Sequence, residues 1–211
     1  MQPVDSPFSN PTDLREIPYV LDGTFAWLTQ TPTHDKWSIG DRCENDLSAQ
    51  LGAALASSQK YGFRLPLEFV LFIRTSKWHK HLRSASACYL SLAKSVLPFL
   101  DGCLLRFLHD QQDCAFWYLY INADGSDHCV VSSSIYFDAD NMDEYYFDFE
   151  DAGYEAYKIE DLKEDYFHIW ETSFERFTVR LWLENEIWFA QKNNTSLPNV
   201  SQKFIQMYSP H

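Results

Sequence analysis

The chain has 211 residues, 30 of them acidic and 17 basic, for a formal charge of −13. That balance excludes a generally basic nucleic-acid binder, which must displace counterions with clustered cations, and argues against an anionic membrane surface as partner. A hydrophobic share of 45% and an aromatic share of 17% indicate one globular domain with appendages, large enough to bury a core without metal or disulfide.

Residues 1–12 hold three prolines and read as a loose arm. Residues 13–37 mix apolar pairs with breakers (Pro18, Gly23, Pro32) and fit no regular element. Asp46 can cap a helix running to Lys60, whose face is Leu47, Leu51, Ala54, Leu55 and Ser58, with Gly62 as the stop. Pro66 suits the first turn of a second helix with a stripe of Phe69, Val70, Ile73 and Trp78. Ser86 to Leu92 is a candidate strand. Cys103–His109, Cys114–Asn122 and His128–Ser133 read as consecutive strands. They are separated by turns at Asp110–Asp113 and at Asn122-Ala123-Asp124-Gly125. Short turns between strands mean an antiparallel meander. The stretch Ala115 to Ile121 is apolar throughout, so both of its faces should be covered. Thr172-Ser173-Phe174-Glu175 fits a capping box opening a helix to about Ala190. Its wide face of Phe174, Phe177, Thr178, Leu181, Trp182, Asn185, Trp188 and Phe189 should pack on the sheet. Val200 to Tyr208 reads as one or two amphipathic turns.

No basic n-region or apolar h-region opens the chain, so no secretory signal is expected, and the longest apolar run, Cys114 to Ile121, is too short for a bilayer span. Five cysteines without a C-x-x-C are most simply reduced, buried thiols of a cytoplasmic protein.

Nucleotide-binding, hydrolase-elbow and zinc-protease motifs are absent. Asp138-x-Asp140 begins like a calcium loop, but Asp143 and Phe149 stand where Gly and Glu are needed. Glu184 and Glu186 would project from opposite sides of a helix. His79-Lys80-His81 reads as an exposed basic face rather than a metal site. Arg74, Lys77, Lys80 and Arg83 recur every three residues as a small anion or RNA patch or, more simply, a solvated helix face. Ser132-Ser133-Ser134 could supply a nucleophile only if His109 or His128 stood beside it. No cofactor and no metal is expected from these patterns.

The charge is unevenly spread. Residues 138–171 carry 13 acids against two bases, so this stretch alone accounts for −11 of the −13. Asp138, Asp140, Asp143, Glu144, Asp148, Glu150 and Asp151 interleave there with Tyr145, Tyr146, Phe147 and Phe149. Carboxylates steer cationic partners and aromatics supply contact area, which together suit a basic protein surface. Alternatively, the aromatics fill the edge of the domain's own core.

Several segments in order resemble the SUKH superfamily, which includes a yeast cell-wall synthesis regulator and many bacterial toxin-immunity proteins. They are Leu65-Pro66-Leu67-Glu68-Phe69, Leu105-Arg106-Phe107-Leu108 with Asp110-Gln111-Gln112, Trp117-Tyr118-Leu119-Tyr120, and Val130-Val131-Ser132. Ser173-Phe174-Glu175-Arg176-Phe177 and Trp182 to Phe189 complete the set. An Asn-Gly-Gly turn common in the family is replaced by Thr75-Ser76-Lys77-Trp78. The resemblance implies an α+β fold, with a curved, mostly antiparallel sheet packed against helices. It also implies a non-catalytic binding role, often toxin neutralisation, with no catalytic residues. The resulting division is an arm and irregular segment over 1–40, a domain over 41–190 with the acidic aromatic insert 138–171, and a tail over 191–211. The expected partner is a basic protein, for instance a nuclease-type toxin domain, met by Asp138, Asp140, Asp143, Glu144, Tyr145, Tyr146, Asp148, Glu150 and Asp151. Alternatives are a regulatory scaffold or a small hydrolase.

Overall fold

The computed structural model describes residues 17–41, 47–122, 127–138 and 163–208. The described residues form an α+β fold whose sheet runs β1 (Tyr89–Leu90), β3 (Gly102–His109), β4 (Phe116–Ile121), β5 (His128–Ser133), β6 (His168–Glu171), with β2 (Leu97–Phe99) pairing the other end of β3. Every pairing is antiparallel. The meander β3–β4–β5 follows the sequence expectation. β2 and β6 do not: Pro98 interrupts the first, and β6 sits at the end of a polar stretch without alternation.

Helices α1 (Leu47–Lys60), α2 (Leu67–Arg74), α3 (Ser76–His79), α4 (Phe174–Asn193) and α5 (Gln202–Tyr208) accompany the sheet. Helix α1 ends where Gly62 takes φ 82°, as a left-handed stop should. The second helix breaks at Thr75, so the expected stripe is split between α2 (Phe69, Val70, Phe72, Ile73) and α3 (Trp78). Helix α4 is buried almost all round, including Arg180, Glu175 and Glu186, rather than on one face.

Each face of the sheet carries a core. Cys103, Leu105, Phe107, Trp117, Leu119, Ile121 and Val130 meet the helices on one side. Phe174 is the hub, with ring centroids 4.9 Å from Phe69, 5.3 Å from Phe72 and 5.2 Å from Phe107, all edge-on. On the other side Leu104, Phe116, Tyr118 and Val131 are covered by Leu97, Phe99, Phe137 and Phe167. Strand β4 is therefore covered on both faces, as its unbroken apolar run requires.

Residues 17–41 belong to the helix-side core. Phe25, Trp27 and Leu28 are buried in and beside a 3-10 turn over Ala26–Gln30, so this irregular part of the 1–40 segment is a structural element of the domain. Breakers hid it from periodicity, because its buried residues follow neither a 3.6 nor a 2 repeat. Helix α5 likewise docks Phe204 and Tyr208 into the core.

Candidate functional site

Of the acidic-aromatic residues expected to meet a partner, Asp138 lies within the described residues. Asp140, Asp143, Glu144, Tyr145, Tyr146, Asp148, Glu150 and Asp151 lie outside them. Asp138 is buried, with 7% of its surface exposed. Its carboxylate accepts from Arg106 Nη2 at 2.8 Å and from the Tyr136 hydroxyl at 3.1 Å. Asp138 therefore anchors the start of the acidic stretch instead of presenting charge to a partner. Burying a carboxylate is tolerable only with such pairing.

Local strand geometry places Arg106. A β-bulge between Arg106 and Leu108 sets two residues of β3 against one of β4. Phe107 and Leu108 thus both enter the helix-side core. Arg106 and His109 both come out on the opposite face, beside Tyr136. The Arg106 guanidinium donates to the Ser91 carbonyl at 2.6 Å, to Ser91 Oγ at 2.8 Å and to the Tyr136 hydroxyl at 3.0 Å, and it lies 4.7 Å from the Tyr136 ring centroid. His109 is bonded to the Tyr89 hydroxyl at 3.0 Å and to Asp113. Burial lowers the His109 pKa despite Asp113, which favours the neutral ring. The lone cation in the apolar run of β3 was the available sequence signal for this network. Its partners, Ser91, Tyr136 and Asp138, lie 15 to 32 residues away and carried none.

The far end of the acidic stretch is also fixed. Phe167 packs 4.9 Å from Phe99 and 5.4 Å from Phe137, ring to ring, and leads into β6. Glu171 of β6, fully buried, accepts from Arg176 Nε at 3.2 Å and lies 3.9 Å from Arg180. Arg180 donates to Glu184 at 2.8 Å and to the Trp170 carbonyl at 2.8 Å, and stacks 4.2 Å from the Trp170 ring. β6 is thereby clamped to α4. The expected capping box is altered: Ser173 caps α4 by accepting from Arg176 N at 3.3 Å, but Glu175 turns away to Gly23 N at 2.7 Å and Phe25 N at 3.2 Å. Glu68 takes over at the helix start, accepting from Phe174 N at 3.0 Å and Glu175 N at 3.2 Å, with His128 Nε2 at 2.8 Å. Burial alone would raise the Glu68 pKa. The hydrogen bond and charge of His128 and the two backbone donors bring it below the ordinary value.

Beside β6 lies a cleft of about 370 Å³ walled by Trp117, Trp170, Trp188, Phe177, Leu181 and Met207, with Glu184 and Cys88 at its margin. Such an aromatic recess suits an apolar side chain from a protein partner. Among its polar groups Asn185 is committed, accepting from Ala85 N at 2.6 Å and donating to the Leu181 carbonyl at 2.8 Å, whereas the buried Trp117 indole N–H has no hydrogen-bond partner. Burial pushes the Cys88 thiol up to about 11, so it is protonated at neutral pH and a poor nucleophile.

The serine–histidine pairs do not assemble. His128 and Ser132 are four residues apart on β5, about 13 Å along an extended strand. Ser132 pairs with Trp117, and His109 with Phe116, which puts them on opposite faces; Ser133 shares His109's face, but it accepts from Ile135 N at 3.0 Å and both His109 ring nitrogens are bonded to Tyr89 and Asp113. Glu184 and Glu186 diverge as the spacing requires, Glu186 pairing with Arg83 at 2.7 and 2.9 Å. His79 and His81 correct the reading of an exposed basic face. His79 is buried against the Phe72 carbonyl at 3.0 Å, and His81 bonds the Thr31 carbonyl at 3.1 Å, so only Lys80 is exposed. Burial lowers the His79 pKa, which keeps the ring neutral. Among the described residues no group of three or more His, Cys, Asp or Glu could hold a metal ion, and no helix is long and apolar enough to cross a membrane.

Fold and site together define an α+β protein with an open antiparallel sheet, helices on one face, and an acidic stretch fastened at both ends to the other. Comparison with protein-family models, curated proteins and solved structures returns no match.

Proposed function

We propose that this is a cytoplasmic, non-catalytic binding protein of SUKH type that neutralises a toxin by covering a basic surface of it. The observation that carries the reading is the concentration of charge: residues 139–162 hold nine acids against the single base Lys158, interleaved with aromatics. The anchoring on either side, by Arg106–Asp138 and by Phe167 and Glu171, supports it. Fixed ends limit the entropy that such a stretch loses when it engages a partner. Carboxylates in this density stand in for the phosphates that a nuclease cleft binds. The family resemblance supplies the toxin class.

The test is co-expression with toxin domains encoded beside the gene, and pull-down of each by the full-length protein. Protection by the wild-type chain, with affinity that falls as salt rises, is expected. A variant with the nine acids of 139–162 changed to their amides should lose protection while keeping its fold. Full protection by that variant would refute the charge-mimic mechanism, and absence of binding to any neighbouring toxin would refute the immunity role.

A further inference from the structure

The row Arg74, Lys77, Lys80, Arg83 does not stand alone. The fold brings it against two segments remote in sequence. His34 N donates to the Lys80 carbonyl at 2.8 Å, and Ser38 bridges Arg83, so the 34–38 loop lies along the row. The end of α4 closes the other side, where Arg83 stacks 4.1 Å from the Phe189 ring and Lys192 sits 4.6 Å from the Trp188 ring. Between loop and helix runs a groove of about 660 Å³ whose lining includes Lys36, Trp37, Arg83, Trp188 and Lys192. A second groove of about 420 Å³ is lined by Lys77, Lys80, Ser38 and Asp41.

Two observations set this flank apart from an ordinary solvated face. Among the described residues Lys36, Lys77, Lys80 and Lys192 have no carboxylate within ion-pair distance, whereas Arg83 is satisfied by Glu186. Among the described residues the acids set against them are Asp35 and Asp41, the latter bonded to Ser38 N at 2.9 Å. In a chain of charge −13 this is a local surplus of cations. Second, Trp37 is 52% exposed and has φ 66°, a left-handed conformation costly for a bulky side chain. Its carbonyl accepts from Ser84 N at 2.9 Å, which helps hold the indole outward.

We propose that this flank binds an acidic, aromatic-bearing peptide segment of a partner protein, held in the groove between the 34–38 loop and the end of α4. The lysines meet its carboxylates, and Trp37 and Trp188 supply apolar contact. Four unpaired lysines are few for a polyanion such as RNA, whose affinity comes from neutralising many phosphates. This reading does not rest on the toxin-binding role proposed for the acidic stretch.

The experiment is a fluorescence-anisotropy titration of the full-length protein with a short fluorescein-labelled peptide of alternating Glu and Tyr. Binding that weakens with salt is expected, as is a loss on the order of tenfold or more in Lys36→Glu/Lys192→Glu. Trp37→Ser should weaken binding as well. These side chains are exposed, so thermal melting should be unchanged. Absence of binding, equal affinity in wild type and the lysine variant, or displacement of the peptide by inorganic phosphate, ATP or poly-U RNA at similar charge concentration would overturn the proposal.

Discussion

Asp138→Ala tests how the acidic stretch is rooted. The substitution removes the carboxylate that accepts from Arg106 at 2.8 Å and from Tyr136 at 3.1 Å, in a pair whose side chains are 6% and 7% exposed. Breaking a buried pair by deleting one partner typically costs about 3–5 kcal/mol, because the other charge stays buried. Here Arg106 retains the Ser91 carbonyl, Ser91 Oγ and the Tyr136 hydroxyl, which places the cost at the lower end, about 3 kcal/mol. For a chain of this size that is a fall in Tm of roughly 6–12 °C. Asp138→Asn keeps shape and an acceptor, and should cost about 2 kcal/mol. The double variant Arg106→Met/Asp138→Leu removes both charges and should return to within about 1 kcal/mol of wild type. Urea unfolding followed by tryptophan fluorescence and circular dichroism measures all three. An Asp138→Ala variant within about 0.5 kcal/mol of wild type would refute the anchor, since that is the range of an ordinary surface substitution.

Glu68→Gln should cost about 1–2 kcal/mol at pH 7 by weakening the α4 cap and the His128 contact. The folded Glu68 pKa lies below 4.5, so its contribution is fully present above about pH 4.5 and is lost as pH falls through the folded value. The gap between variant and wild type should therefore narrow in acid, and a gap constant from pH 7 to pH 3 in urea melts would contradict this. A Cβ on Gly102 would run into the Ile121 carbonyl oxygen and the Tyr120 ring, so Gly102→Ala should cost about 2 kcal/mol or more by calorimetry. Burial pushes the Cys103 thiol up to about 12 and Cys88 up to about 11, whereas Cys114 is exposed. Mass mapping after brief alkylation should find Cys114 modified and Cys88 and Cys103 intact until the chain is unfolded, whereas native labelling of Cys103 as fast as Cys114 would disprove its burial.

Local pattern carried much of the architecture. The limits of β5, the meander, the Gly62 stop of α1 and the two-sided covering of β4 follow from short-range alternation, turn residues and the absence of any polar position in one strand. So did the start of α4 and its opposed glutamates, since helical geometry alone separates Glu184 from Glu186. What composition could not tell was which acids are spent inside: Asp138 and Glu171 look like their neighbours in sequence, yet Asp138 is buried against Arg106, 32 residues away, and Glu171 is fully buried against Arg176 and Arg180. The bulge in β3 was equally hidden, because it inverts the alternation that a strand reading assumes. The insertion of Phe25, Trp27 and Leu28 into the core, the Glu68 cap on α4, and the convergence of Lys36, Lys80 and Lys192 on one flank were decided by the path of the chain. Periodicity reports which face of an element is apolar. It cannot report which distant element arrives to cover that face, and partner choice for buried charges and surface clusters depends on that arrival.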